Sequence, residues 1–264
     1  MRALFAGTGG LPAAIVARLP DPPVIFVMDG FPPDGLTPDI TFRLEHLGTL
    51  IQGLTKRGVT EVCFAGGVSR PPIDPGQIDA ATLPLVPVLQ QAMAQGDDGA
   101  LRGLLKVFEN AGLHIRGAHH YVPDLLPSAG SLTNATPTDA HRRDAQRGAS
   151  VVAAMAVADV GQACVVHRRQ ALAIEGIFGT DWMLASLAAR PDGRGGILFK
   201  APKPGQDLRV DMPMIGPDTV QGVAEAGLDG IVIEAGGVMV LDQDRVIAEC
   251  NRLGLFLWVR EAAG

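Results

Sequence analysis

Apolar positions fall into short blocks set apart by glycine and proline, and the spacing inside the blocks alternates between strand and helix. A buried-strand run at 3–6 is followed by glycines and then by an apolar stretch of helical spacing at 11–19. A second run at 24–28 ends on Asp29, and a helical pattern near 46–57 leads to a third run at 61–65, closed by Gly66 and Gly67. Two more helical patterns, around 83–94 and 99–111, precede a strand at 113–117 and the Pro-rich stretch 122–127. Short continuous apolar runs between turn signals suit strands buried on both faces. Their repetition as strand, glycine turn and helix predicts an open parallel sheet with ligands at the carboxyl ends of its strands.

The pattern changes at 127–137, PSAGSLTNATP, which is small, polar and bounded by prolines, as a linker would be. From Thr138 a long amphipathic helix is predicted to reach about residue 157. The stretches 162–166 and 171–175 then alternate like the arms of a hairpin around Arg168 and Arg169. Helices at 181–189, 218–226 and 242–253 and strands at 196–200, 230–234, 238–241 and 255–259 complete the chain. The predicted organisation is two α/β domains. A Rossmann-like domain with a mostly parallel sheet covers 1–130, the linker 131–137, and a mixed α/β unit 138–264.

Composition narrows the class. Of 264 residues, 47% are hydrophobic and 19% charged, which excludes a disordered chain. Aromatic residues make up only 5%, so the cores are expected to be built mostly from Val, Ile, Leu and Ala. The net charge is −6 and no run of Lys or Arg exceeds two, which argues against a nucleic-acid partner. Cys63, Cys164 and Cys250 are far apart and odd in number, so neither disulfides nor a zinc site is expected, and burial as small hydrophobes is. The opening MRALFAGTGGLP breaks before a signal-peptide core could form, and no apolar run approaches the roughly 20 residues of a membrane span. A cytoplasmic protein is expected.

Two glycine turns are candidate ligand sites. Gly7-Thr8-Gly9-Gly10-Leu11-Pro12 follows a strand and opens a helix, so glycines permit close backbone approach and the helix start offers unpaired N–H groups. Asp29 stands where a dinucleotide fold keeps its ribose-binding acid, but Pro12 occupies the place of that fingerprint's third glycine. A cofactor turn, another phosphate or sugar turn through Gly9, Gly10 and Leu11, and a purely structural turn all remain open. Gly66-Gly67-Val68-Ser69-Arg70 repeats the logic, with Arg70 available for phosphate. Two such turns on neighbouring strands could line one crevice.

The segment 200–213, KAPKPGQDLRVDMP, is unlike the rest. Its prolines prevent a continuous helix, so Asp207 and Asp211 are not a solvated helix face. Lys200, Lys203 and Arg209 suit the non-bridging oxygens of a diphosphate ester, with Gln206 between them. Asp207 and Asp211 suit a hard cation and a water-orienting base. Asp218 and Thr219 open the next helix, where capping competes with ligand binding, and Thr180 and Asp181 carry the same ambiguity. Asp97 and Asp98, before the helix at 99–111, read first as a cap. His119 and His120 lack a third metal ligand at any recognised spacing.

In order along residues 3–259 stand AGTGGLP, AGGVSRP, GDDG before a helix, DVGQACVV, EGIFGTDWML, KAPKPGQDLRVDMPMIGPDT and GLDGIVIEAGGVMVLD. Together they resemble the LpxI family of UDP-2,3-diacylglucosamine pyrophosphatases. The resemblance implies hydrolysis of that substrate to UMP and 2,3-diacylglucosamine 1-phosphate, with water attacking the α-phosphorus, in the lipid A synthesis of Gram-negative bacteria. It further implies two domains with the substrate held between them, a divalent metal (Mg²⁺ or Mn²⁺), and a catalytic aspartate at Asp207 or Asp211. A diacylated substrate calls for an apolar channel or patch, from which weak peripheral contact with the inner membrane is expected. A homo-oligomer is compatible with the sequence. The competing readings are a nucleotide-dependent oxidoreductase using the first glycine turn and a non-catalytic nucleotide-lipid carrier.

Overall fold

Among the described residues the four apolar runs of the first half become β1 (Arg2–Ala6), β2 (Val24–Met28), β4 (Glu61–Ala65) and β5 (His114–Ile115), and a further strand, β3 (Ile40–Phe42), joins them. Helices α1 (Leu11–Arg18), α2 (Leu47–Lys56), α3 (Val86–Met93), α4 (Gly96–Asn110) and α5 (Ala118–Tyr121) connect or follow them. The computed structural model describes residues 1–69, 73–94, 96–191 and 193–262, and divides the chain into two units, Met1–Pro123 and Asp124–Gly264.

All strand pairs of the first unit are parallel, in the order β3-β2-β1-β4-β5. This is a Rossmann-like sheet, whose strand order reverses between β1 and β4. Helix α2 shows why such segments fold as read: Leu47, Ile51 and Leu54 recur at helical spacing and are its buried face. The buried residues are mostly Val, Ile, Leu and Ala, as the composition suggests, with one aromatic cluster among them. Phe5 stacks on Phe26 at 5.1 Å, meets Phe42 and Phe108 edge-on at 5.3 Å, and lies 5.0 Å from Phe64. A low chain-wide average concealed this concentration around β1, where each such pair adds about 0.5–1.5 kcal/mol beyond area burial. β3, three residues long, is too short to show a period of its own.

The second unit is mixed. It comprises β6 (Gly130–Ser131), α6 (Asp139–Val157), β7 (Ala163–His167), β8 (Gln170–Ile174), α7 (Gly179–Ala185), β9 (Ile197–Lys200), β10 (Met214–Ile215), α8 (Pro217–Glu225), β11 (Gly230–Glu234), β12 (Met239–Val240), α9 (Gln243–Leu253) and β13 (Phe256–Arg260). Its main sheet runs β6-β13-β11-β9-β7-β8. β13, β11 and β9 are mutually parallel, whereas β6, β7 and β8 each pair antiparallel. Val165, Leu198, Ile231, Ile233 and Leu257 have no exposed surface and form the centre of its core. Helix α6 lies close because Gly148 faces the Phe199 ring, which a Cβ there would meet at 2.5 Å.

The stretch 131–137, read as the linker, lies within this second unit. Ser131 pairs with Trp258, the Leu132 N–H donates to the Leu257 carbonyl at 3.0 Å, and the Leu257 N–H donates to Thr133 Oγ1 at 2.8 Å. Its small polar residues occupy the edge groups of β13, which otherwise stay unpaired.

The β7–β8 hairpin turns on Arg168 and Arg169, at φ 49° and 63°. A left-handed backbone costs a non-glycine residue roughly 1–2 kcal/mol. The buried Asp144 of α6 offsets it, accepting the Arg168 N–H at 3.2 Å and the Arg169 N–H at 2.6 Å. Asp144→Ala should therefore lower unfolding stability by about 1–3 kcal/mol, measured by denaturant titration, through two unsatisfied N–H groups.

Candidate active site

In the first unit the two glycine turns meet at the switch point. The Thr8 N–H donates to the Gly67 carbonyl and the Gly67 N–H to the Thr8 carbonyl, both at 2.9 Å, and the Thr8 hydroxyl adds a bond at 3.0 Å. A Cβ at Gly7 would lie 2.4 Å from the Gly67 oxygen, and one at Gly66 (φ +90°) 2.6 Å from the Gly7 oxygen. Only glycine allows this approach. Gly9 is at φ +91° with open space beside it, and Gly10 precedes α1. Leu11 is buried, so its side chain belongs to the core. Pro12 is buried in the first turn of α1, where the dinucleotide fingerprint would need a glycine. Arg70 lies outside the described residues.

The second unit gathers its polar residues at one end of its sheet. Lys200 closes β9 and pairs in register with Ala163 at the start of β7, while Cys164 pairs with Ile174 at the end of β8. The antiparallel hairpin thus brings Gln162 and Glu175 to the same end as Lys200. Lys200 Nζ donates to Thr180 Oγ1 at 2.7 Å, the Thr180 hydroxyl donates to Glu175 Oε1, and Lys200 Nζ lies 3.8 Å from that same carboxylate oxygen. Glu175 Oε2 accepts the Gln162 N–H at 2.6 Å. Gln162 Nε2 then donates to both oxygens of Asp211 at 2.9 Å.

Asp211 is held from the other side by Gln206, whose Nε2 donates to the Asp211 carboxylate and, at 2.6 Å, to its backbone carbonyl. Gln206 Oε1 accepts the Lys203 N–H at 2.7 Å, and Lys203 Nζ reaches Asp159 at 2.5 Å. Thr180, Lys200, Lys203, Gln206 and Asp211 therefore belong to one hydrogen-bonded network built from β8, α7, β9 and the loop after it. Asp207 and Arg209 form a neighbouring pair, Arg209 donating to both carboxylate oxygens at 2.6–3.2 Å. The two carboxylates differ in setting: a guanidinium holds Asp207, while neutral amides hold Asp211.

Two predicted residues stand apart from this network in their bonding. Asp181 is exposed in the first turn of α7. Thr219 accepts the Gly216 N–H at 3.2 Å and so serves the start of α8, as the capping reading anticipates. Gln162, Glu175 and Asp159 were not singled out by sequence reasoning. Gln162 and Glu175 were visible as polar residues bounding hairpin arms, but only the register of β7 on β9 brings them to the end of the sheet where Lys200 lies, and Asp159 is tied in through Lys203. Glu234 and Arg260 lie at the same end of the sheet, paired at 3.9 Å, with burial raising the Glu234 carboxyl and Arg260 opposing that shift.

Among the described residues no three His, Cys, Asp or Glu side chains gather to hold a metal ion. Asp207 and Asp211 nonetheless supply hard oxygen donors, and Mg²⁺ commonly takes one or two carboxylates and completes its shell with water and substrate phosphates. By donor chemistry alone, these two carboxylates suit a hard cation. On α5, burial and the neighbouring His120 lower the His119 pKa. No described helix is long and apolar enough to cross a membrane.

A reversing parallel sheet with glycine turns at its switch point, followed by a mixed sheet carrying a cationic and carboxylate network, defines a two-domain α/β protein. Two family models match in tandem, the LpxI N-terminal domain over residues 1–125 and the LpxI C-terminal domain over residues 128–258. The UDP-2,3-diacylglucosamine pyrophosphatase LpxI of Caulobacter vibrioides is 36% identical over 266 residues, spanning 96% of this chain and 95% of the relative. The chain belongs to the LpxI family.

Cys63, Cys164 and Cys250 are all free and buried, as the sequence suggested, and burial pushes their thiols up to about 12, 12 and 11. Such thiols carry almost no thiolate near neutrality. Iodoacetamide at neutral pH should therefore leave the native chain unlabelled by mass spectrometry and add three labels after denaturation.

Proposed function

We propose that this protein hydrolyses the pyrophosphate bond of UDP-2,3-diacylglucosamine, releasing UMP and 2,3-diacylglucosamine 1-phosphate, as a step of lipid A synthesis. The observation that carries this reading is the network joining Lys200, Thr180, Glu175, Gln162, Asp211, Gln206 and Lys203. Family membership and the name of the Caulobacter relative support the choice of substrate.

In this reading water attacks the α-phosphorus. Lys200 and Lys203 are held by hydrogen bonds before substrate arrives, so little reorganisation is needed when they meet phosphate oxygens. Asp211, its oxygens aimed by two amides, orients the attacking water and takes its proton. Arg209 turns from Asp207 to a phosphate oxygen, and Asp207 and Asp211 are the residues that would hold Mg²⁺ or Mn²⁺. When bound, that cation would neutralise charge on the diphosphate. Thr180 positions Lys200, and Gln206 positions both Lys203 and Asp211. Asp181 and Thr219 are proposed to contact substrate through surfaces left accessible on α7 and α8. Gly9, Gly10, Leu11, Gly66 and Gly67 of the glycine turns, together with Arg70, are proposed as further substrate contacts.

Asp207→Asn and Asp211→Asn should each lower UMP release by about 10²-fold or more, with the chain still folded by circular dichroism. Turnover in ¹⁸O water with Mg²⁺ tests the chemistry directly. Label in UMP supports α-attack, label only in the lipid phosphate rejects it, and ligand bound without turnover favours a carrier.

A further inference from the structure

The stretch from the end of β8 into α7 presents two contrasting sets of side chains. Glu175 and Thr180 are buried in the hydrogen-bonded network. Ile174, Ile177, Phe178 and Trp182, from the same nine-residue stretch, are 50%, 91%, 70% and 59% exposed. The Phe178 and Trp182 rings lie 5.3 Å apart, so the exposed groups include a joined aromatic pair. Scattered apolar residues on a surface need no explanation, but large ones side by side mark a place where another apolar phase is met.

We propose that Ile177, Phe178 and Trp182 form a knob that dips into the interfacial layer of a phospholipid bilayer. The inference rests on the reading of the substrate as a diacylated lipid, which resides in a bilayer. A stable contact between two protein chains takes about 20–30 residues a side, far more than this knob provides. Shallow insertion needs only a few apolar side chains, and a tryptophan suits the layer where acyl chains meet headgroups. The chain carries −6 net charge and Asp181 is exposed beside the knob, so the contact is hydrophobic and owes little to anionic lipid. The knob shares its backbone with Glu175 and Thr180, so insertion brings the polar network to the membrane surface.

Flotation of the full chain with phosphatidylcholine vesicles tests the proposal. The protein is expected to float, and to keep floating when NaCl is raised to about 0.5 M. Combining Ile177→Ser, Phe178→Ser and Trp182→Ser should lower vesicle partitioning by about tenfold or more. UMP release from vesicle-embedded UDP-2,3-diacylglucosamine should fall by a similar factor, while turnover of a water-soluble short-chain analogue is unchanged. Phe178→Trp, which keeps an interfacial aromatic, should float like the parent. Unchanged flotation of the triple variant, absence of flotation by the parent, or an equal loss on the soluble analogue would each overturn the knob. A parent chain that floats but turns over neither substrate would defeat the hydrolase reading and leave the membrane contact standing.

Discussion

A lysine ammonium at the end of a buried strand governs the second unit. The Lys200 side chain is only 11% exposed, and its companion Glu175 equally so. Removing a charge from water is tolerated only where hydrogen bonds and opposite charge replace the solvent. Thr180 and Glu175 supply that replacement, and they in turn tie α7 and β8 to the end of β9. Gln162 continues the same bonding from Glu175 to Asp211, so the irregular loop 201–213 is held through its own polar side chains. Its prolines forgo backbone donors, and side-chain amides stand in as the links.

The first unit depends on a different constraint, the absence of side chains. Two carbonyl–amide exchanges between Thr8 and Gly67 draw the ends of β1 and β4 together at distances that a methyl group would forbid. Backbone rather than side chains thus forms the surface at the switch point.

Most of the fold was legible. The runs at 24–28, 61–65 and 230–234 coincide with β2, β4 and β11, because buried strands write themselves as continuous apolar blocks. The two-residue strands β6 and β10 carry no periodicity and escaped notice. The hairpin was legible even though its turn lacks glycine. What holds that turn was not, since Asp144 lies on α6, more than twenty residues away in sequence. In the site, the density of charge between Lys200 and Asp211 was conspicuous, while Gln162 and Glu175 were inconspicuous polar residues at strand ends.

By itself the sequence determined the order of elements, the two glycine turns, and the loop in which basic and acidic side chains alternate between prolines. These are local properties, set by periodicity, φ preferences and the ring of proline. Tertiary structure alone decided which side chains act together. The antiparallel register of β7 against β9 carries Gln162 and Glu175 to Lys200, and the same segment that buries Thr180 leaves Ile177, Phe178 and Trp182 in water. Strand register and burial arise from packing between distant segments, and no single stretch of chain contains that information.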